Sequence, residues 1–307
     1  MLISYFYPNR LHALFIPYAK KHQFQLNYCT EKADLIYCGS ASQLGNALAA
    51  KEKHKKPLIC WVWDLPYGWR SWTRDIQEFQ ANAHRDRQIK AIIAMLKACD
   101  KVLCGSKYTQ RILKEKYSIE SEQLYFYIDT EGIDGTPPHA HASGHIIQIS
   151  RFALNKRFDN SIRAAAGIGQ KLICAGTGRY NKLENLAREL NADVEFYCNK
   201  STETVMGLLK SAGILVSPSL HEGWGMTPIE ALYCGIPVLL SDLEVFKEIY
   251  GDKVPYHRKD DINDMKKKIQ QLLDDKELQK KIVKDCRPLI ESFTAAKFAK
   301  RWEKAIA

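Results

Sequence analysis

The sequence of 307 residues is short of several things. It has no run near the ~18 uncharged apolar residues that a membrane-spanning helix needs. Its first stretch, MLISYFYPNRLHALF, has none of the basic segment, apolar run and small-residue cleavage site of a signal peptide. A soluble, cytoplasmic chain is the expectation. Cysteine pairs spaced CxxC are absent; the nine cysteines are scattered through apolar patterns such as LNYC, LIYC and LICAG, which reads as buried free thiols. Low-complexity segments and short repeats are missing too. There is no basic tail: the net charge of +10 is shared evenly between residues 1–140 and 141–307, which argues against a nucleic-acid partner. The densest basic run, Lys51 to Lys56, falls where a helix should end before the strand PLICWVW, and cations suit that end of a helix dipole.

What is present is ordinary for a folded protein, 46% hydrophobic and 26% charged residues, and the length exceeds one hydrophobic core. Two domains are therefore expected, with a cleft between them. Short apolar runs alternate with longer amphipathic ones throughout, the pattern of an α/β protein with parallel sheets. In the first half the strands read as LISYFY, FQLNYC, DLIYC, LICWVW, KVLCG and LYFYI, with helices over residues 74–97 and 107–117, the second N-capped by Ser106. The Gly/Pro/Ser/His-rich stretch DTEGIDGTPPHAHASGH reads as a linker. The same rhythm restarts with HIIQIS, KLICAG, DVEFYC, GILVSPS and IPVLLS, and three helical segments follow at 261–273, 276–292 and 294–306.

The segment SPSLHEGWGMTPIEALYCGIPVLLSD, Ser217 to Asp242, holds the densest set of special residues. It places HEGWGM at the carboxyl end of a parallel strand and just before a helix, where ligands of open α/β sheets bind. Gly223 and Gly225 let backbone N–H groups approach a ligand, and the helix N-terminus at Met226 and Thr227 favours an anion such as a diphosphate. Glu230 lies four or five positions into the helix, about one turn beyond the loop that carries Glu222, so both can face one crevice. Carboxylates beside a phosphate site suit hydroxyl groups, and a ligand with a phosphate centre and hydroxyls on either side is a nucleotide sugar. Arg151 and Lys156, after the strand HIIQIS, carry the charge that would stabilise a departing diphosphate.

Pro218-Ser219, Glu222-Gly223-Trp224-Gly225, Glu230-Ala231 and Gly235-Ile236-Pro237-Val238 together resemble the EX7E region of retaining glycosyltransferases, most closely family 4. ISRFALNKRFD resembles the opening of that family's donor domain, LICAGTG its next glycine turn, and CDKVLCGSKYTQRIL the close of its acceptor domain. The likeness covers residues 99–250 well and the first 60 poorly. It implies the GT-B fold: an acceptor-binding Rossmann-like domain over 1–140, a nucleotide-sugar domain over 141–292, and a helix at 293–307 crossing back to the first. It further implies that Glu222 lies beside the donor sugar with Arg151 and Lys156 on the diphosphate, and that Glu230 holds the ribose. Gly176, Gly223, Trp224, Gly225, Met226 and Thr227 would surround the donor. The donor would be a UDP- or GDP-linked hexose, with no further cofactor and no metal, and the acceptor a glycan, a lipid-linked molecule or a small molecule.

The acceptor half departs from the family. In place of a glycine-rich loop after the first strand stand Asn9 and Arg10, and in place of a common histidine stands WVWDLPYGWRSW, where Asp64 and Trp69 are the candidates for acceptor contact. Trp61 and Trp63 suit a core. GTGRYN, starting at Gly176, has Asn181 where a dinucleotide motif needs its third glycine, and His139, His141 and His145 read as linker rather than metal ligands. QIKAIIAMLKAC, Gln88 to Cys99, has an apolar stripe explained by packing on a sheet, with weak peripheral membrane contact as the other use.

Overall fold

The computed structural model describes residues 3–6, 24–26, 31–39, 43–64, 89–140 and 143–306. They form two compact units, Met1–Tyr127 with Ala295–Ala307, and Ile128–Thr294.

In the first unit, strands β1 (Ile3–Phe6), β2 (Phe24–Leu26), β3 (Leu35–Cys38), β4 (Leu58–Val62), β5 (Lys101–Cys104) and β6 (Glu122–Gln123) make one sheet in the order β2-β1-β3-β4-β5-β6, every pair parallel. LIYC and LICWV are unbroken apolar runs because every residue of β3 and β4 is buried. Helix α1 (Leu44–His54) carries Lys51, Lys53 and His54 in its last turn and stops at Lys55 in the left-handed conformation. Helix α2 (Lys107–Tyr117) is capped by Ser106, whose Oγ accepts from Thr109 N at 3.1 Å. Residues 89–97 are helical; Leu96 is buried, and Ile92, Ile93 and Met95 pack on this unit's core, so the apolar stripe of that helix is covered. Trp61 is buried, stacked on Phe126 at 4.5 Å and edge-on to Trp63 at 5.7 Å.

The second unit opens with α3 (Thr130–Asp134). Its sheet consists of β7 (Ile146–Arg151), β8 (Leu172–Thr177), β9 (Val194–Cys198), β10 (Ile214–Ser217), β11 (Val238–Ser241) and β12 (Tyr256–His257), in the order β12-β11-β10-β7-β8-β9 and again all parallel. Helices α4 (Phe158–Gly167), α5 (Asn181–Glu189), α6 (Thr202–Lys210), α7 (Met226–Tyr233), α8 (Glu244–Tyr250), α9 (Ile262–Asp274) and α10 (Lys276–Ser292) complete it. Counted from β7, this is the doubly wound dinucleotide-fold order, whose direction reverses between β7 and β10. The last helix, α11 (Ala295–Ile306), buries Phe298, Trp302 and Ala305 in the first unit, with Trp302 edge-on to Tyr37 at 4.8 Å. Each such aromatic contributes roughly 2 kcal/mol by burial.

Three expectations are corrected. The stretch Asp129–His145 is not a free linker, and the division falls after Tyr127 rather than at 140. Asp129 caps α3, Ile133 is buried, Lys210 Nζ donates to Thr136 O at 2.6 Å and His139 N to Gly207 O at 3.0 Å, so polar and glycine-rich residues are laid onto α6. LYFYI is not a strand: β6 ends at Gln123, and Phe126, Tyr127 and Ile128 are buried in irregular chain, their apolar pattern serving the core rather than a ladder. Finally, β12 escaped notice because two residues show no period.

Candidate functional site

Loops leaving β7 and β10 diverge at the switch point of the second sheet, and two charged side chains meet there. After β7 the chain makes a 3-10 turn, Leu154–Lys156, and enters α4 through Arg157 in the left-handed conformation, φ 50°. That unfavourable geometry is held by a bidentate pair of Arg157 with Asp159, at 2.9 and 2.8 Å, and by further bonds to Asn160 and Asp260. Lys156 is thereby turned inward. Its carbonyl accepts from Gln148 Nε2 at 2.6 Å, and Gln148 Oε1 accepts from Ser161 Oγ at 2.6 Å. Both polar residues are almost fully buried.

Lys156 Nζ lies 2.7 Å from Glu222 Oε1, with side-chain exposures of only 9% and 16%. Ser219 Oγ donates to the same oxygen at 2.8 Å. Both contacts fall on Oε1, so Oε2 remains available to a ligand hydroxyl. The turn carrying Glu222 is stitched down on two sides: Leu220 N donates to Asn155 O at 2.8 Å, and Ser241 Oγ to Ser219 O at 2.6 Å. Asn155, Ser219 and Ser241, like Gln148, position this pair without being charged.

Gly225 then begins α7 at φ 87°, where an added Cβ would lie 2.6 Å from Phe246 Cε1. No side chain caps α7, and Pro228 contributes no N–H, so the amides of Met226 and Thr227 are left for a ligand or water. Met226 and Thr227 are half-buried, Gly223 buried. Glu230 is half-buried in the second turn of α7 and makes no hydrogen bond or ion pair among the described residues. Its carboxyl is pushed up to about 7, by burial first and by Asp129 second.

The remaining expected residues stand apart from this pair. Arg151 is exposed at the end of β7 and bonded to neither glutamate. The Trp224 side chain is 2% exposed and packs edge-on against Phe293 at 5.1 Å, so what it offers a ligand is main chain. Gly176 lies in β8 opposite Ser150, whose carbonyl oxygen would be 1.7 Å from an added Cβ; the close approach of the strands requires that glycine. Asp64 is exposed just past β4. Asn9, Arg10 and Trp69 lie outside the described residues, as does His141. His145 is buried, 3% exposed, and desolvation lowers its pKa to about 4. Among the described residues no group of three or more His, Cys, Asp or Glu side chains is arranged to hold a metal ion, and no helix is long and apolar enough to cross a membrane.

Residues 134–287, about half of the chain and all within the second unit, match the family of glycosyl transferases group 1. The chain belongs to that family. It is 26% identical over 211 residues to an uncharacterized glycosyltransferase of Methanocaldococcus jannaschii, a match covering 67% of this chain and 57% of that protein. It is 32% identical over 110 residues to the GDP-mannose-dependent alpha-(1-6)-phosphatidylinositol dimannoside mannosyltransferase of Mycobacterium tuberculosis, covering 34% and 29% of the two chains. The matches thus span less than two thirds of either relative. Among solved structures, HepE of Anabaena in complex with UDP-glucose aligns with a TM-score of 0.80 at 12% identity, over 99% of this chain and 98% of that one. At that identity the likeness establishes the fold, which is GT-B.

Proposed function

We propose that the chain is a retaining, family 4 glycosyltransferase that moves a hexose from a UDP- or GDP-linked donor to a hydroxyl of a glycan, a lipid-linked molecule or a small molecule. The observation that carries this reading is the buried Lys156–Glu222 pair, 2.7 Å apart, at the switch point, one loop away from the uncapped amides of α7. The diphosphate rests on those amides, with Lys156 and Arg151 offsetting the charge that grows on it as the sugar leaves. Glu222 Oε2 takes a sugar hydroxyl and Glu230 the ribose hydroxyls. The bond from the anomeric carbon to the phosphate oxygen breaks, the acceptor oxygen bonds that carbon on the same face, and the acceptor proton passes to the departing phosphate. Fixed positive charge supplies the electrophilic field, so the reaction is read as metal-independent. One relative is named as GDP-mannose-dependent and a neighbour of the same fold is seen in complex with UDP-glucose, so both bases stay in the proposal.

Thermal-shift screening with UDP, GDP, UDP-glucose and GDP-mannose tests the donor class, because a ligand selective for the native state raises the melting temperature. One nucleotide series should stabilise the protein, and slow hydrolysis of its sugar conjugate should release the hexose with its anomeric configuration kept, EDTA making no difference. Absence of any shift, or release of the inverted anomer, overturns the reading.

A further inference from the structure

Arg157, the residue after Lys156, takes the left-handed conformation at φ 50° as the chain enters α4. Asp260, in the loop between β12 and α9, is also left-handed, at φ 62°. The two side chains meet across 103 positions of sequence, Arg157 Nη1 donating to Asp260 Oδ1. Asn160 Nδ2 donates to the same oxygen at 3.0 Å. Left-handed backbone is unfavourable for any residue with a Cβ, so both turns need contacts that hold them.

The partners of Arg157 differ in what they can fix. Asp159 accepts from it at 2.9 and 2.8 Å and Asn160 at 2.7 Å, but both belong to the first turn of α4 and move with it. Asp260 stands elsewhere, and its loop is fastened to α9 on the far side: Arg258 N donates to Asp264 Oδ2 at 2.6 Å, and Asp261 Oδ1 caps the helix by accepting from Asp264 N at 2.9 Å. Helix α9 lies close against α4, where a Cβ on Gly167 would come within 2.8 Å of Lys266 Cδ. The Arg157 side chain is nearly buried; burial acts to lower its pKa, yet Asp159 and Asp260 together raise it above the ordinary value. The contact with Asp260 thus ties the one backbone turn that aims Lys156 to a loop that carries neither member of the Lys156–Glu222 pair.

We propose that Asp260 is a positioning residue: through Arg157 it holds the turn that directs Lys156 at Glu222, without touching the substrate itself. This rests on the role given to Lys156 above and deepens it, making the loop before α9 a determinant of where that cation lies.

Brief, substoichiometric acetylation of the full chain with acetic anhydride, read by peptide mass spectrometry, tests it through the exposure of the Lys156 amine. Lys156 should react slowly in the wild type, where it is buried against Glu222. Asp260→Gly removes the carboxylate while glycine keeps the left-handed turn at no cost, and it should speed acetylation of Lys156 about tenfold. Arg157→Ala, which retains the unfavourable backbone and loses every contact of the guanidinium, should do at least as much. Glycine adopts the turn unaided, so Asp260→Gly added to Arg157→Gly should change the labelling of Lys156 by less than about twofold relative to Arg157→Gly alone. Asp275→Ala removes the cap of α10, where Asp275 Oδ1 accepts from Leu278 N at 2.8 Å, and should lower stability while leaving Lys156 as slow as in the wild type. In hydrolysis of UDP-glucose or GDP-mannose, Asp260→Gly should lower kcat about tenfold and change KM less. Wild-type labelling of Lys156 in Asp260→Gly, an equal rise in Asp275→Ala, or an equal effect of Asp260→Gly with and without Arg157→Gly overturns the proposal. Faster labelling with kcat unchanged upholds the positioning by Asp260 and overturns instead the catalytic role given to Lys156.

Discussion

Lys156 Nζ and Glu222 Oε1, 2.7 Å apart, join the loops after β7 and β10, strands that are neighbours in the sheet though β8 and β9 lie between them in the chain. With so little exposure the two charges depend on each other: removal of one leaves the other buried and unpaired. The backbone ties the same two turns together, Leu220 N donating to Asn155 O at 2.8 Å.

Lys156→Met and Glu222→Gln should each lower stability by about 3 kcal/mol, and the double variant by less than the sum. On the proposed reading turnover should fall by roughly a hundredfold or more in either single variant, since Lys156 offsets the charge growing on the diphosphate and Glu222 positions the sugar. Urea melts and steady-state kinetics on the three proteins check both statements; additive stability losses or wild-type turnover contradict them.

Glu230 gives a pH signature. With its carboxyl pushed up to about 7 by burial, the neutral acid is favoured in the fold; the stability this gives is complete below pH 4.5 and lost as pH rises through 7. Glu230→Gln should therefore be more stable than wild type by about 3 kcal/mol at pH 8 and equal to it near pH 4.5. On the proposed reading, in which ionised Glu230 accepts from the ribose hydroxyls, UDP or GDP affinity should drop about tenfold per pH unit below 7 in wild type and stay flat in the variant. Calorimetric titration across that range decides.

His145 works in the opposite sense. Desolvation holds it down to about 4, with Lys171 and His139 adding to the effect and Glu195 opposing it. The unfolded chain binds this proton from pH 6.5 downward, so stability falls between pH 6.5 and 4. His145→Phe should remove up to about 3 kcal/mol of that loss at pH 4 while changing little at pH 7. Parallel melting curves for the two proteins would reveal the difference.

Gly225→Ala combines a left-handed φ of 87° with a Cβ 2.6 Å from Phe246 Cε1. The conformation alone costs about 1–2 kcal/mol, and relief of the contact must shift the first turn of α7. Nucleotide affinity should weaken by about tenfold or more, measured by thermal shift, whereas Gly235→Ala, which meets nothing within 4 Å, should leave affinity intact despite its own φ of 78°.

How far the sequence could be read follows the kind of signal each residue carries. The places of Lys156 and Glu222 in the loops after β7 and β10 were legible because each follows an apolar run, and Gly223 and Gly225 marked the turn into α7. Five of the six strands of the second unit, β7 to β11, were legible too, as short apolar runs between helices. Gln148 and Ser161, which hold the carbonyl of Lys156, were not: one looks like an interruption in a strand and the other like an ordinary helix residue, and only their burial gives them meaning. Gly176 and Trp224 stand inside donor-like motifs yet serve strand approach and packing on Phe293, uses that share a residue type with ligand contact. In the stretch after β5, apolar alternation announced a strand where the chain buries side chains without pairing its backbone.

Ile128 N donates to Phe293 O at 3.0 Å, so the first residue of the second unit and its last but one are neighbours. A segment whose two ends meet behaves as a cassette inserted into its host: it can be cut out, or set into another scaffold, without stretching either join. Evolution and the bench can both exchange such a module whole while the surrounding polypeptide stays as it was.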